Sequence, residues 1–270
     1  MIGPPTSRAA GRLTTEQKQQ FAESGYIANL PVFDQSVFPY LQRKFDELVQ
    51  LLPSGTNISS LINWHKANKC VYDLCRTPVI LDYVEDLLGP NFFHWGASFF
   101  CKYPGDMTQV PWHQDAQYWP LHPHHAVTVW LAFFDTDETN GAMHVVKGSH
   151  REGELAHKDV DSEHYVLAKQ VVDSAINPQC IVSLNLRAGE ISLHDDAIIH
   201  GSPANTSDRM RAGLTMRYSS TDVNCDLSVW PTFESYLVRG VDEYQLNPVG
   251  KAPTSDGFPV RCQQASAEFD

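Results

Sequence analysis

The sequence has no cluster of basic residues. It carries 20 lysine and arginine residues against 32 aspartate and glutamate residues, a formal net charge of −12. Nucleic-acid backbones and anionic membrane surfaces are normally bound by clustered lysine and arginine side chains. We therefore expect neither nucleic acid nor a membrane as a partner, and we expect a small molecule as the substrate or ligand.

Long apolar segments and paired cysteines are also missing. The longest apolar run, residues 127–134, is far shorter than the ~20 residues of a membrane-spanning helix. Residues 1–13 contain no apolar core of a secretion signal, so a cytoplasmic protein is expected. The cysteines form no CxxC pair, which argues against a zinc knuckle or a disulfide framework and predicts buried free thiols at positions 70, 75, 101, 180, 225 and 262.

Helical patterns occupy the chain before residue 90. Thr14 and Gln17 match a capping box, and Gly25 is placed to end the helix that they open. Pro78 stands at the first position of a further helix that Gly89 terminates. A helix between these two is indicated by apolar residues at helical spacing, namely Phe38, Leu41, Phe45, Leu48 and Leu52.

Beyond residue 90 the apolar runs become short, aromatic or β-branched, and are separated by Gly, Pro, Asn and Asp. No helical pattern alternates with them, so a mainly β fold with flanking helices is favoured, an antiparallel jelly-roll or cupin-like barrel. We expect one domain over residues 1–270. Its helical layer, at about 14–89, buttresses a jelly-roll core at about 90–220, and a C-terminal extension covers 221–270.

The segment "PWHQDAQYWP" at 111–120 contains a histidine and an aspartate one residue apart. If the chain is extended there, His113 and Asp115 project to the same side because side chains alternate along a strand. Two imidazoles and one carboxylate on one face of a metal are a common protein site for redox-active Fe(II). His113 and Asp115 supply two of these three ligands.

The third ligand is expected from the segment "GEISLHDDAIIHGS" at 189–202, which contains His194 and His200. We prefer His200, since the small residues Gly201 and Ser202 follow it and permit close approach of a ligand. His194 is interpreted instead as a strand-end residue at the surface.

Arg211 lies eleven residues after His200, enough for the chain to turn and return on a neighbouring strand. A guanidinium binds a carboxylate through two parallel hydrogen bonds, which lysine cannot do. We therefore predict a dicarboxylate that chelates the metal at one end and pairs with Arg211 at the other.

These residues resemble the phytanoyl-CoA dioxygenase family of iron- and 2-oxoglutarate-dependent oxygenases. The resemblance lies in "WHQD" at 112–115, "TNGAMHVVKGSH" at 139–150, "HGS" at 200–202 and the following Arg211, and extends over roughly residues 15–220. It implies a double-stranded β-helix, which is the jelly-roll barrel that the strand pattern predicts.

The resemblance also assigns roles to residues. It implies that His113, Asp115 and His200 bind iron and that Arg211 pairs with the distal carboxylate of 2-oxoglutarate. It further implies that Ser202 contacts that carboxylate and that Thr128 and Trp130 line the cosubstrate pocket. The implied cofactors are Fe(II), 2-oxoglutarate and O2.

The implied reaction is hydroxylation of an aliphatic carbon, with release of succinate and CO2. Relatives that chlorinate their substrates carry a small residue in place of the acidic ligand. Asp115 is present here, so hydroxylation is expected and chlorination is not.

The substrate is expected to be a small polar metabolite. Coenzyme A phosphates usually recruit lysine and arginine, so the lack of a basic cluster argues against a coenzyme A thioester. The sequence context is similar to that of bacterial family members that act on small metabolites, such as 2-aminoethylphosphonate.

Tyr118 and Trp119 are candidates for contact with the substrate, and Arg217 is a candidate anchor for an anionic group. Arg217 lies an even number of residues from Arg211, and a structural ion pair is an equally open reading of it.

Two other classes of protein remain open at this stage. The same three ligands suit a zinc-dependent hydrolase, and the barrel could be a non-catalytic, cupin-like binder of a metabolite.

The histidines of "HPHH", His122, His124 and His125, are interpreted as a solvated loop at the barrel rim and assigned no metal. The oligomeric state is not predicted.

Overall fold

The computed structural model describes residues 11–160 and 164–260. Its strands are β1 (Tyr26–Pro31), β2 (Phe92–Lys102), β3 (Val110–His113), β4 (Leu121–His122), β5 (Ala126–Ala132), β6 (Met143–Val146), β7 (His157–Asp159), β8 (Lys169–Val171), β9 (Ile181–Leu184), β10 (Glu190–Asp195), β11 (His200–Ser202), β12 (Arg211–Ser220), β13 (Asn224–Cys225) and β14 (Tyr236–Arg239). Its helices are α1 (Thr15–Ser24), α2 (Phe38–Gln50), α3 (Trp64–Ala67), α4 (Lys69–Leu74) and α5 (Pro78–Leu88).

Two antiparallel sheets form the barrel. The larger has the order β1-β10-β5-β12-β2-β14, and the smaller has the order β3-β11-β6-β9. Neighbours in the sheets are mostly far apart in sequence, as in a jelly roll. The predicted mainly β, jelly-roll class is confirmed.

The predicted helix ends are present. The Thr14 hydroxyl accepts a hydrogen bond from the amide of Gln17 (3.2 Å), and the Gln17 side chain accepts one from the amide of Thr14 (2.9 Å). Gly25, at φ 78°, ends α1 in the left-handed region that glycine adopts at little cost. Pro78 is the first residue of α5, and Gly89 follows its last. Local sequence chemistry thus determines where these helices begin and end.

The N-terminal region, expected to be helical, also contains a strand. Strand β1 lies within it and pairs with β10 at the edge of the larger sheet, while β14, from the C-terminal region, pairs with β2 at the opposite edge. Both strands are short, and their partners lie far along the chain. Such pairing leaves only a weak periodic pattern in the local sequence.

The helices pack on one face of the larger sheet. Val127, Val129 and Leu131 of β5 join Phe45 of α2 and Trp64 of α3 in a single apolar cluster. The alternate residues of the same strands face the interior of the barrel, as the twofold alternation of a strand requires. The helices therefore buttress the sheet, and the opposite face is free to carry polar groups.

Cys75 and Cys101 are buried free thiols, as expected, whereas Cys70 and Cys180 are partly exposed. Cys262 and residues 1–10, part of the segment searched for a secretion signal, lie outside the described residues. Within the described ranges, no helix has the length and apolar character that a membrane span requires.

Candidate active site

Strand pairing brings the two predicted histidine ligands together. His113, the last residue of β3, lies directly opposite His200, the first residue of β11. Their ring centroids are 4.1 Å apart. The chain then turns, and Asp115 opens a short 3-10 turn beside both rings. All three side chains are buried.

Backbone carbonyls orient both imidazoles. His113 Nδ1 lies 2.8 Å from the carbonyl oxygen of Pro111, and His200 Nδ1 lies 3.1 Å from that of Ile198. Each Nδ1 can donate a proton to its carbonyl, which leaves the Nε2 lone pair available to a metal. The two Nε2 atoms lie 3.6 and 3.8 Å from Asp115 Oδ1. These three donor atoms, all within 4.8 Å of one another, form a metal-sized cluster.

Electrostatics favours the metal-binding protonation states. Burial opposes ionisation of Asp115, but His200, followed by His113 and His194, outweighs it and holds the pKa of this carboxyl well below its usual range. Burial and the neighbouring His113 lower the pKa of His200. An ionised carboxylate and a neutral imidazole are the forms that ligate metals.

Two neighbouring residues fix Asp115 and the turn that carries it. The Thr128 hydroxyl donates a hydrogen bond to Asp115 Oδ2 (3.1 Å). Gln114 points away from the cluster, and its amide group donates to the carbonyls of Gly153 (2.8 Å) and Ala197 (2.6 Å). Nothing in the local sequence indicated the Thr128 contact, since it depends on the packing of β5 beside the turn.

Arg211 is buried on the inner face of β12. Its Nη1 donates to the carbonyl of Phe100 (3.3 Å), and its guanidinium lies over the Trp130 ring, 4.8 Å from the centroid. Burial lowers the pKa of Arg211 to about 10, so the group stays charged at neutral pH. Its Nε has no hydrogen-bond partner, and no carboxylate pairs with it among the described residues. A buried cation of this kind fits a bound carboxylate.

One cavity joins the His–Asp–His cluster to Arg211. Thr128 and Trp130 line it, together with Phe100, Val110, His113, Asp115, Met143, His194, His200, Gly201, Arg211, Thr215 and Arg217. Ser202 is not in this lining and faces a neighbouring pocket. The pairing of β11 with β3 is irregular between His200 and Ser202, which breaks the alternation that would have turned Ser202 inward.

Arg217 lies between the cavity of the His–Asp–His cluster, termed the metal cavity for the site we propose there, and a second, aromatic pocket. That pocket is lined by Ile62, Asn63, Trp95, Ser98, Tyr118, Trp119, Pro120, Arg217, Val229 and Trp230. The guanidinium of Arg217 lies 5.2 Å from the Trp119 ring centroid and 6.0 Å from that of Trp95. Its Nε lacks a hydrogen-bond partner, and no ion pair involves it within residues 11–160 and 164–260. The structural ion pair considered from the sequence is therefore not formed in the described part of the chain.

His194 is not a surface residue. It is 1% exposed, and its Nε2 lies 3.6 Å from Asp115 Oδ2. His194 does lie near the end of β10, but the expected surface position was wrong because β1 covers that end, where Tyr26 pairs with His194. By contrast, His122 and His125 are exposed, as expected for a rim loop, whereas His124 is half-buried and its Nε2 lies 2.9 Å from Glu154 Oε1.

Two histidines and one carboxylate form the ligand set of non-heme Fe(II) oxygenases, and the buried Arg211 in the same cavity can pair with a carboxylate. The chain belongs to the phytanoyl-CoA dioxygenase (PhyH) family, whose model matches residues 21–213. It is therefore an Fe(II)- and 2-oxoglutarate-dependent dioxygenase. This excludes the zinc-dependent hydrolase and the non-catalytic binder.

Individual relatives agree with this membership. A probable alpha-ketoglutarate-dependent hypophosphite dioxygenase of Stutzerimonas stutzeri is 28% identical over 191 residues, which is 66% of this chain and 63% of that protein. The fold matches the non-heme monooxygenase ThoJ, in its apo form, with a TM-score of 0.74 and 25% identity over 88% of this chain and 89% of the other. It also matches CytC3 with Fe(II) and alpha-ketoglutarate, with a TM-score of 0.69 and 22% identity over 94% and 98% of the two chains.

We expect Gly213→Ala to disturb the cosubstrate end of the cavity. A Cβ at Gly213 would lie 2.0 Å from Cζ2 of Trp130, so the indole beneath Arg211 would have to move. Overpacking of this kind costs about 1–3 kcal/mol of stability, and the affinity for 2-oxoglutarate should fall with it. Thermal unfolding and 2-oxoglutarate titration measure the two effects. Adding Trp130→Phe should recover part of the lost stability, and an unchanged melting temperature in Gly213→Ala alone would contradict the expectation.

Proposed function

We propose that this dioxygenase hydroxylates an aliphatic carbon of a small anionic metabolite and releases succinate and CO2. An aminoalkylphosphonate such as 2-aminoethylphosphonate is the candidate substrate. The observation that carries the proposal is Arg217, a buried cation set in the wall between the metal cavity and the aromatic pocket, with no carboxylate in ion-pair contact among the described residues. Burial lowers the pKa of Arg217, and Asp115 opposes this shift without forming such a contact. A buried guanidinium of this kind is stabilised by a bound anion.

The geometry supports the roles that we propose at the metal centre. We propose that His113, Asp115 and His200 hold Fe(II), since their donor atoms converge and their types match the two-histidine, one-carboxylate site. Arg211 holds the distal carboxylate of 2-oxoglutarate, with the Trp130 ring fixing the plane of the guanidinium. Bound Fe(II) would supply the activation of O2 that oxidation of an unreactive C–H bond needs.

The aromatic pocket suits the rest of the substrate. The rings of Trp95 and Trp119 stand edge to face with centroids 4.7 Å apart, and Trp230 packs 5.8 Å from Trp95. Such faces bind an aliphatic chain by burial and an ammonium by cation–π attraction. Arg217 would then hold the anionic end and place the intervening carbon beside the metal. The relative named for hypophosphite, a phosphorus oxyanion, supports testing phosphorus oxyanions first.

Residues 1–270 are proposed to form one dioxygenase domain. The support is the larger sheet, which takes an edge strand from each side of the central region, β1 before it and β14 after it.

The test is substrate-accelerated succinate formation. The panel contains 2-aminoethylphosphonate, ethylphosphonate, hypophosphite and ethanolamine, which keeps the amine and lacks the anion. We expect acceleration by at least one of the anionic compounds and none by ethanolamine. Acceleration by ethanolamine alone would overturn the anionic substrate class and leave the dioxygenase assignment intact.

We expect Arg217→Gln to raise the KM for the anionic substrate by roughly 30-fold or more, since loss of one partner of a buried charge pair costs about 2–5 kcal/mol. The affinity for 2-oxoglutarate should stay unchanged, because Arg211 binds that molecule. Arg209→Gln is the matched control, because Arg209 is a half-exposed arginine paired with Asp137 at 2.6 Å. An unchanged substrate KM in Arg217→Gln removes this residue from the substrate site.

A further inference from the structure

The two carboxylate oxygens of Asp115 face different neighbours. Oδ1 faces the cluster, 3.6 Å from His113 Nε2 and 3.8 Å from His200 Nε2. Oδ2 lies 3.1 Å from the Thr128 hydroxyl and 3.6 Å from His194 Nε2. Oδ1 is therefore the oxygen that lies nearest the Nε2 atoms of His113 and His200, and Oδ2 is the one nearest His194.

The sheet register places His194 and Thr128 together. His194 of β10 pairs directly with Thr128 of β5, so both side chains project from the same face at the same level. His194 is 1% exposed, and neither of its ring nitrogens has a hydrogen-bond partner in the described residues. A buried polar group without a partner is costly, and Asp115 Oδ2 is the acceptor that its Nε2 faces.

His194 is not itself a member of the metal-binding group. The donor atoms that lie within 4.8 Å of one another come from His113, Asp115 and His200. His194 Nε2 lies 3.6 Å from Asp115 Oδ2, and the His194 ring centroid lies 4.7 Å from that of His200. Its position suits action through Asp115 and not direct ligation.

We infer that His194 is a positioning residue. Its Nε2–H and the Thr128 hydroxyl together hold Oδ2 of Asp115, so that Oδ1 alone is presented to the metal. This inference rests on the proposed metal site. A carboxylate held in this way would bind the metal through one oxygen and would leave room in the cavity for 2-oxoglutarate and O2. A carboxylate free to rotate would be able to bind through both oxygens and would take up some of that room.

The experiment is Co(II) binding to the metal-free protein, followed by titration and by the visible absorption of the bound ion. It compares His194→Gln, whose amide can place a donor near the position of Nε2, with His194→Phe, which keeps a flat ring and has no donor. We expect His194→Phe to weaken Co(II) binding by roughly 10–100-fold, the usual effect of losing the partner of a ligand. His194→Gln should stay within about threefold of the parent protein and keep its Co(II) spectrum. Far-UV circular dichroism checks that each variant is folded.

The opposite order, with His194→Phe binding Co(II) normally and His194→Gln failing, would show that the ring only fills space and would overturn the inference. Equal losses in both variants would also overturn it, because they are expected if His194 were a ligand. If His194→Phe does not fold, His194→Asn serves instead, since its shorter amide does not reach Oδ2 and should lose the affinity that His194→Gln keeps. No substrate enters the titration, so failure of the anionic substrate class leaves the result unaffected. Failure of Co(II) to bind the parent protein would instead refute the metal site.

Discussion

Asp115→Asn is expected to lower 2-oxoglutarate turnover at least about 100-fold, more than is typical when only the partner of a ligand is lost. The variant has nearly the same shape but lacks the negative charge that His200, His113 and His194 stabilise in Asp115. With Thr128 donating to the amide oxygen, the amide nitrogen would lie where Oδ1 now stands. This amide nitrogen could donate hydrogen bonds to the Nε2 lone pairs of His113 and His200. A metal needs the same lone pairs, so its binding would be weakened.

Succinate formation at saturating Fe(II) measures this loss, and Co(II) titration shows whether the metal site has closed. Asp46→Asn is the control, because Asp46 is an exposed aspartate on α2. Turnover comparable to that of the parent protein would contradict the assignment of Asp115 as a ligand.

The second large effect is expected from Arg211→Leu. Arg211 is buried, and its charge has no carboxylate partner in the described part of the chain. Without it the distal carboxylate of 2-oxoglutarate would be buried unpaired, at a cost of about 2–5 kcal/mol. The KM for 2-oxoglutarate should therefore rise on the order of 100-fold, with a smaller change in kcat at saturation.

Arg211→Lys separates charge from geometry. An ammonium is a point charge that cannot make two parallel hydrogen bonds or lie flat on the Trp130 ring, so an intermediate KM is expected. Initial rates over a range of 2-oxoglutarate concentrations measure both variants, and the Arg217→Gln protein shows whether the effect is specific to the cosubstrate end. A KM unchanged in Arg211→Leu would mean that the cosubstrate carboxylate binds elsewhere.

Features set by short-range chemistry could be predicted from the sequence. The capping box of Thr14 and Gln17 and the glycine that ends α1 depend on contacts within one helix. Arg211 and Arg217 fall on the same face because side chains alternate along a strand, and both line the metal cavity. The spacing of His113 and Asp115, with His200 and Arg211 further on, indicated a ligand set because few other arrangements need those residue types together.

Contacts between distant strands decided the rest. The sequence by itself determined the jelly-roll class, the helix ends and the residues of the His–Asp–His cluster. The tertiary structure alone decided that His194 is buried against Asp115, that Thr128 bonds to that carboxylate, and that Ser202 faces away from the cavity. Each of these depends on the register between strands or on the irregular pairing of β11, where a shift of one residue reverses the direction of a side chain. Register is set by the packing of the whole barrel, so it cannot be predicted from a local pattern of residues.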